Sequence, residues 1–192
     1  MRWSYCATDA FSTEELHIAY LHLSSSRKVH IDRLKRQEDK LRSLVAELLV
    51  QRLLQEHYGI KDAVLHRHPN GQPYLTGCDL FVSISHSDQM VACAISEAPV
   101  GIDIEKIKPM SLRICRHLCV EEEKEYLFSG SNLSETDDCQ DPAVLRRLFE
   151  IWTAKEAYFK KCGTGITDLK SVNILPLDRQ IHIIGDYMVQ IV

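Results

Sequence analysis

Residues 151–166, "IWTAKEAYFKKCGTGI", read as the end of a helix and its stop. Ile151, Trp152 and Phe159 supply apolar surface, Ala154 and Ala157 favour helix, and Gly163 stands where a left-handed C-cap belongs. Trp152, Glu156 and Lys160 follow one another at intervals of four. A carboxylate and an ammonium therefore stack on the same side as an aromatic stripe. One reading is a surface ion pair worth about 0.2–0.5 kcal/mol. The other is half of a site.

Working back from this helix, which the pattern starts near 142, the segment 129–142 ("SGSNLSETDDCQDP") is polar and acidic and reads as loop. "VEEEKEYLF" (120–128) reads as a helix, and another is expected over 110–117. In "CRHLC" (115–119), Leu112, Cys115, Leu118 and Cys119 share one apolar face while Arg113, Arg116 and His117 turn away. Core packing is the reading there rather than a zinc site. "VGIDIEKI" (100–107) reads as a strand after a break at 96–99, and "LFVSISHS" (80–87) with "QMVACAIS" (89–96) as a strand pair. "AVLHRH" (63–68) reads as a strand and "PNGQPYL" as a turn.

The first part is helical. A short helix over 13–26, capped by Thr13, fades into serines. A long one over 31–57 carries Leu34, Leu41, Leu44, Val45, Leu48, Leu49 and Leu53 as a buried stripe and closes at Tyr58-Gly59. Two strand-like runs, "SVNILPL" and "QIHIIGDYMVQIV", end the chain. Helices then strands, twice, predict an α+β protein of two similar halves, 1–98 and 99–192.

Composition narrows the function. The 192 residues are 45% hydrophobic and 26% charged, enough for a globular core. A formal net charge of −4 argues against a general nucleic-acid binder. No apolar run approaches membrane-spanning length, and the N-terminus lacks a signal-peptide pattern. Seven cysteines at irregular spacing cannot form a complete disulfide framework, so a reduced cytoplasmic protein is expected.

Three further clusters could carry chemistry. Asp103 and Glu105 lie two apart, on one side of their strand, with Ile102 and Ile104 on the other. They form either a solvated edge face or a pair that wants a hard cation. Ser85, His86 and Ser87 end a strand where hydroxyls and an imidazole can meet phosphate oxygens, or simply make a polar strand-to-turn transition. The basic run 26–42 is mostly the solvated face of a helix. No "GxxxxGK[ST]" phosphate loop is present.

In order, "NGQP", "FVSISHS", "GIDIEKIKP" and "W-x-x-K-E-A-x-x-K-x-x-G-x-G" resemble the 4′-phosphopantetheinyl transferases, and among them the surfactin-synthetase-activating class, over residues 26–176. The resemblance implies a pseudo-symmetric pair of α+β halves with the active site at their interface. It implies transfer of the phosphopantetheine arm of coenzyme A to a serine of an apo acyl or peptidyl carrier protein, giving adenosine 3′,5′-bisphosphate. Asp103, Glu105 and Glu156 would hold Mg²⁺, or Mn²⁺ in its place, and Lys160 would sit against the phosphate. Lys155 matches the motif and is placed with Lys160 among the coenzyme A-binding residues, either orienting Glu156 or helping to activate the nucleophile. Glu123 falls where relatives have a proposed base, with a metal-bound water or Glu156 as alternatives.

For coenzyme A, Ser85 and His86 match the phosphate-contacting pair, and Arg42 and Ser43 fall where relatives meet the adenine end and its 3′-phosphate. Gly71, Gln72 and Pro73 match the turn near the base, with Gln72 in place of the usual Lys or Arg. Arg27 and His30 fall near two family lysines, so coenzyme A binding should weaken at higher pH if His30 contributes. Met110, Leu112, Leu118 and Tyr126 with Arg113 and Arg116 form a candidate landing surface for the carrier. The resemblance implies a monomer. Relatives run on past the last strand here by some tens of residues, so either the second half is trimmed by a strand or two or the chain is a shortened form. The rival from another class is a catalytically silent coenzyme A-binding module of the same fold, favoured by Gln72 and the short tail and opposed by the carboxylates and Lys160.

Overall fold

The computed structural model describes residues 1–165 and 168–192. Its first half runs β1 (Arg2–Ala7), α1 (Thr13–His22), α2 (Ser25–Arg33), α3 (Gln37–Tyr58), β2 (Val64–Arg67), β3 (Pro73–Thr76), β4 (Phe81–Ser87) and β5 (Met90–Ser96). The second runs β6 (Ile102–Lys106), β7 (Met110–Ser111), α4 (Cys115–Leu118), α5 (Glu121–Phe128), β8 (Asp138–Cys139), α6 (Pro142–Cys162), β9 (Gln180–Ile184) and β10 (Tyr187–Ile191). Two three-stranded sheets, ordered β1-β5-β4 and β6-β10-β9, are antiparallel throughout. β2 and β3 form a separate hairpin.

The α+β expectation holds, with local corrections. β1 was not expected: "RWSYCA" becomes a strand by pairing with β5, from Arg2 opposite Ile95 to Ala7 opposite Met90. The serine run starts a helix rather than ending one, because Ser24 Oγ accepts a hydrogen bond from Arg27 N at 3.3 Å and caps α2. Ser12, not Thr13, caps α1, in a reciprocal box with Glu15. Leu34 and Arg36 are extended, so the expected helix over 31–57 is split there. β3 occupies half of the expected turn, and residues 110–114 begin as strand and 3₁₀ turn rather than helix. The acidic loop pairs back through β8 onto β7, and "SVNILPL" forms no strand.

Three apolar clusters hold the halves. α3 packs Val45, Leu49 and Leu53 against Val82, Ile84 and Ile95 of β4 and β5. α6 packs Leu148, Phe149 and Ile151 against Leu112, Cys115, Leu118 and Cys119, as the apolar face of that segment predicted. Between the halves, the opposite face of β5 presents Ala92 and Ala94 to Ile102, Ile104, Val189 and Ile191. Small residues there let the sheets approach closely. The same approach brings Gly101 onto α6, where a Cβ would fall 1.7 Å from the Ala157 carbonyl oxygen. No residue larger than glycine leaves β6 this close to the α6 backbone, and that closeness places Asp103 beside Glu156 and Lys160.

All seven cysteines are unpaired. Among the described residues no helix is long and apolar enough to cross a membrane.

Candidate active site

β4 meets β6 through its alternating serines. Ser83 Oγ accepts from Ile102 N at 3.0 Å, Ser85 Oγ donates to Asp103 Oδ1 at 2.6 Å, and Ser87 Oγ donates to Glu105 Oε2 at 2.7 Å. Strand alternation puts three hydroxyls on one face at the spacing of the facing strand, so the first half orients the carboxylates of the second. Ser85 thereby ties Asp103 to β4 and also accepts from Lys160 Nζ.

α6 supplies the rest. Asp141 caps it, with Oδ1 accepting from Ala143 N at 2.8 Å, and Gly163 ends it at φ 69°, as expected. Lys160 Nζ lies 2.5 Å from Asp103 Oδ1, 2.8 Å from Ser85 Oγ and 3.9 Å from Glu156 Oε2. Trp152, expected only to pack, also donates from Nε1 to Glu156 Oε1 at 3.2 Å. The stacked pair on the helix is therefore part of a site.

Burial, then the nearby Asp103 charge, pushes the Glu156 carboxyl up, against the pull of Lys160. Burial likewise raises Glu105, with Asp103 and Glu156 adding to it and the Ser87 bond opposing. Asp103 is 1% exposed, and its Oδ2 finds no hydrogen-bond partner among the described residues. Three carboxylates feel one another with one cation among them, and one buried acceptor is left over. That donor set, all oxygen and over-charged, fits a hard divalent ion. In this arrangement no three acidic, histidine or cysteine side chains among the described residues converge as a metal cage. Lys160 holds Asp103 instead.

Glu123 and Lys155 depart from their expected roles. Both side chains are 0% exposed and paired at 2.6 Å. Glu123 also accepts from Val120 N and Ile174 N, and Lys155 donates to the carbonyls of Leu118 and Leu169. Every strong valence is taken and neither group meets solvent. A serine hydroxyl cannot reach Glu123 here, and Lys155 cannot touch coenzyme A. The pair ties α6 to the segments before α5 and after residue 168.

The candidate coenzyme A residues divide. Arg27 is buried, with Nε 3.3 Å from Glu47 Oε2 and Nη2 3.3 Å from Ser43 Oγ, so Ser43 serves Arg27. Arg42 pairs with Asp39 at 2.5 Å and donates to the Asp88 carbonyl at 2.9 Å. Partial burial and the charges of Arg27 and Arg67 lower the His30 pKa, while burial, Arg42 and Lys160 lower that of the outward-facing His86. Both imidazoles therefore favour the neutral form in the free protein.

Gly71, Gln72 and Pro73 do line a cleft of about 280 Å³ with Lys160. Gln72, however, lies against Gly163, where a Cβ would meet its Oε1 at 2.5 Å, and Asn70 Nδ2 donates to the Gly163 carbonyl at 3.1 Å. The turn clasps the end of α6. Arg67, which the motifs did not single out, lines the same cleft. Its signal was a lone arginine in a short strand opposite the "NGQP" turn. The candidate carrier landing surface loses Leu112 and Leu118, which are 0% exposed and belong to the core, while Met110 and Tyr126 stay half-buried.

Two family models match the chain. One, described as the 4′-phosphopantetheinyl transferase superfamily, covers residues 99–186, and one described as 4′-phosphopantetheinyl transferase, N-terminal, covers residues 10–98. The chain is 35% identical over 131 residues to 4′-phosphopantetheinyl transferase gsp of Aneurinibacillus migulanus, covering 67% of this chain and 51% of that protein. It is 29% identical over 170 residues to 4′-phosphopantetheinyl transferase Sfp of Bacillus subtilis strain 168, covering 87% and 69%. A fungal relative, 4′-phosphopantetheinyl transferase pptA of Paxillus involutus, is 27% identical over 172 residues, covering 81% and 65%. The matched regions thus span from about half to somewhat over two thirds of these relatives' length.

Proposed function

The chain belongs to the 4′-phosphopantetheinyl transferase superfamily, and from that premise we propose that it moves phosphopantetheine from coenzyme A to a serine of an apo carrier protein, the holo-[acyl-carrier-protein] synthase reaction. The observation that carries the reading is the meeting of Asp103, Glu105, Glu156 and Lys160 at the seam between the halves, with a buried Asp103 oxygen left unpartnered.

In this reaction the carrier serine oxygen bonds to the phosphorus next to pantetheine. The bond from that phosphorus to the bridging oxygen breaks, and its electron pair leaves on adenosine 3′,5′-bisphosphate. Asp103, Glu105 and Glu156 would hold Mg²⁺, or Mn²⁺, which when bound neutralises the pyrophosphate and stabilises the leaving group. Lys160 adds a fixed positive charge at the same point. With Glu123 sealed away, Glu156 is the carboxylate left to take the serine proton. It is partly open to solvent, at 21% exposed, where the carrier serine could approach it. The partners are coenzyme A and an acyl or peptidyl carrier, the chain acting as a monomer. Seven unpaired cysteines suit a reducing compartment such as the cytoplasm.

The test is to mix the chain with coenzyme A, Mg²⁺ and a panel of apo carriers and weigh the carriers intact. A phosphopantetheine mass gain that EDTA abolishes supports the reading. No gain on any carrier rejects it.

The metal has its own readout. Because burial and mutual repulsion disfavour the charged carboxylates, a cation bound there stabilises the fold. Millimolar Mg²⁺ is expected to raise the thermal midpoint by a few degrees, and Glu105→Gln/Glu156→Gln to remove that rise. An unchanged midpoint with Mg²⁺ in the parent chain would take the ion out of this site.

A further inference from the structure

Glu105 is the least secured of the three site carboxylates. Asp103 is held by Ser85 and Lys160, and Glu156 by Trp152 with Lys160 nearby. The Glu105 side chain has one hydrogen bond to protein among the described residues, from Ser87 Oγ at 2.7 Å. The same Ser87 Oγ accepts from Lys106 N at 3.1 Å. One hydroxyl therefore gives its proton to Glu105 and a lone pair to the next amide, which works only while β6 keeps this register against the end of β4. Ser87 is the last residue of β4, so the register depends on the turn that follows.

That turn is two residues, Asp88 and Gln89, between the paired Ser87 and Met90. Asp88 stands at φ 52°, the one non-glycine residue at positive φ among the described residues. The first position of such a hairpin favours glycine, and aspartate tolerates it without gaining from it. The side chain is put to use instead. Asp88 Oδ2 accepts from Lys106 Nζ at 2.7 Å and from Tyr187 OH at 3.3 Å. Lys106 and Tyr187 are cross-strand partners on β6 and β10, and the Lys106 ammonium lies 5.7 Å from the Tyr187 ring centre. The Asp88 carbonyl accepts from Arg42 Nη1 at 2.9 Å, and the Gln89 carbonyl from Thr8 N at 2.7 Å. The backbone of the turn is thus fixed to the first half, and its carboxylate to two strands of the second. An ion pair this open, 40% and 48% exposed, adds little stability. What it adds is geometry: it closes a ring through Ser87, Asp88 and Lys106 directly beside Glu105.

We propose that Asp88 is a positioning residue: by holding Lys106 and Tyr187 it keeps Ser87 in register with β6 and so aims Glu105 into the site. The inference rests on the transferase reading only for the ion that Glu105 would share with Asp103 and Glu156. A glycine at this position relaxes the turn and keeps its backbone bonds while freeing the end of β6. Such a variant is as stable as the parent chain and poorer at the site.

The experiment measures amide hydrogen exchange, and Mn²⁺ affinity by water proton relaxation, on the intact chain and on Asp88→Gly, Asp88→Asn and Lys106→Met. In Asp88→Gly the thermal midpoint without metal should stay within about 2 °C of the parent, since the relaxed turn offsets an exposed ion pair. Its Lys106 amide should exchange about 10-fold faster, as a local opening. Mn²⁺ should bind it about 10-fold more weakly, the low end for loss of an outer partner of a metal site. Asp88→Asn keeps an acceptor for Lys106 and should stay within about threefold of the parent. Lys106→Met separates position from charge. Loss of a nearby cation by itself tightens Mn²⁺ binding, whereas loss of positioning weakens it, by about fivefold. Unchanged exchange at Lys106, equal Mn²⁺ binding by Asp88→Gly and the parent, or tighter binding by Lys106→Met overturns the assignment. A parent chain that binds no Mn²⁺ rejects the metal part of the transferase reading, and exchange at Lys106 then decides on Asp88 by itself.

Discussion

Glu156→Gln is expected to cut turnover by about 100-fold or more while leaving the thermal midpoint unchanged or slightly higher. The side chain is 21% exposed, accepts from Trp152 Nε1 and lies near Lys160, so an amide of the same shape fits. Its charge is disfavoured in the folded protein by burial and by Asp103, and removing it relieves that repulsion. Loss of rate without loss of stability separates this residue from a packing role. The loss should fall on kcat, because in the proposed reaction this carboxylate faces the reacting centre rather than the adenosine end. A variant with parental turnover, or one whose activity falls only in step with unfolding, would remove Glu156 from the reacting centre.

The second large effect is on stability. Lys155→Met should cost about 3–5 kcal/mol, because it strands the Glu123 carboxylate in an interior where both partners are 0% exposed. Glu123→Gln should cost somewhat less, since an amide still accepts from one backbone N–H. The double replacement Lys155→Met/Glu123→Leu should recover part of the loss, as apolar substitutes for a buried ion pair often do. Chemical denaturation of the three variants measures this directly. If Glu123 were the general base, Glu123→Gln would abolish turnover at temperatures where the fold is intact. On the present structure its residual activity follows the folded fraction.

These two glutamates show how far a linear reading reaches. Both lie in acidic or amphipathic helical runs, and motif matching gave both a chemical role. Glu156 keeps a place in the candidate site because helical periodicity fixes it over Lys160 and Trp152, a relation internal to one element. Glu123 does not, because its partners arrive from Lys155 and from Ile174 N, far along the chain. Nothing local announces that an acidic residue in the first turn of α5 points inward. The same holds for Gln72. Its lack of charge was visible, but its packing on Gly163, brought near only when the halves close, was not.

By itself the sequence determined the α+β class, the span of α6 and its glycine stop, the α3 stripe, the apolar face at 112–119, the two carboxylates on one face of β6 and the family. Each rests on short-range periodicity, on a cap, or on a run of motifs in order. Only the tertiary structure decided that β1 is a strand, that the serines of β4 orient Asp103 and Glu105, that Glu123 and Lys155 form a sealed pair, and that Gln72 packs on Gly163 while Arg67 lines the cleft with Lys160. Those outcomes depend on which surfaces meet when two sheets close across small residues at Ala92, Ala94 and Gly101. Burial and charge balance are properties of that meeting, and no single segment contains them.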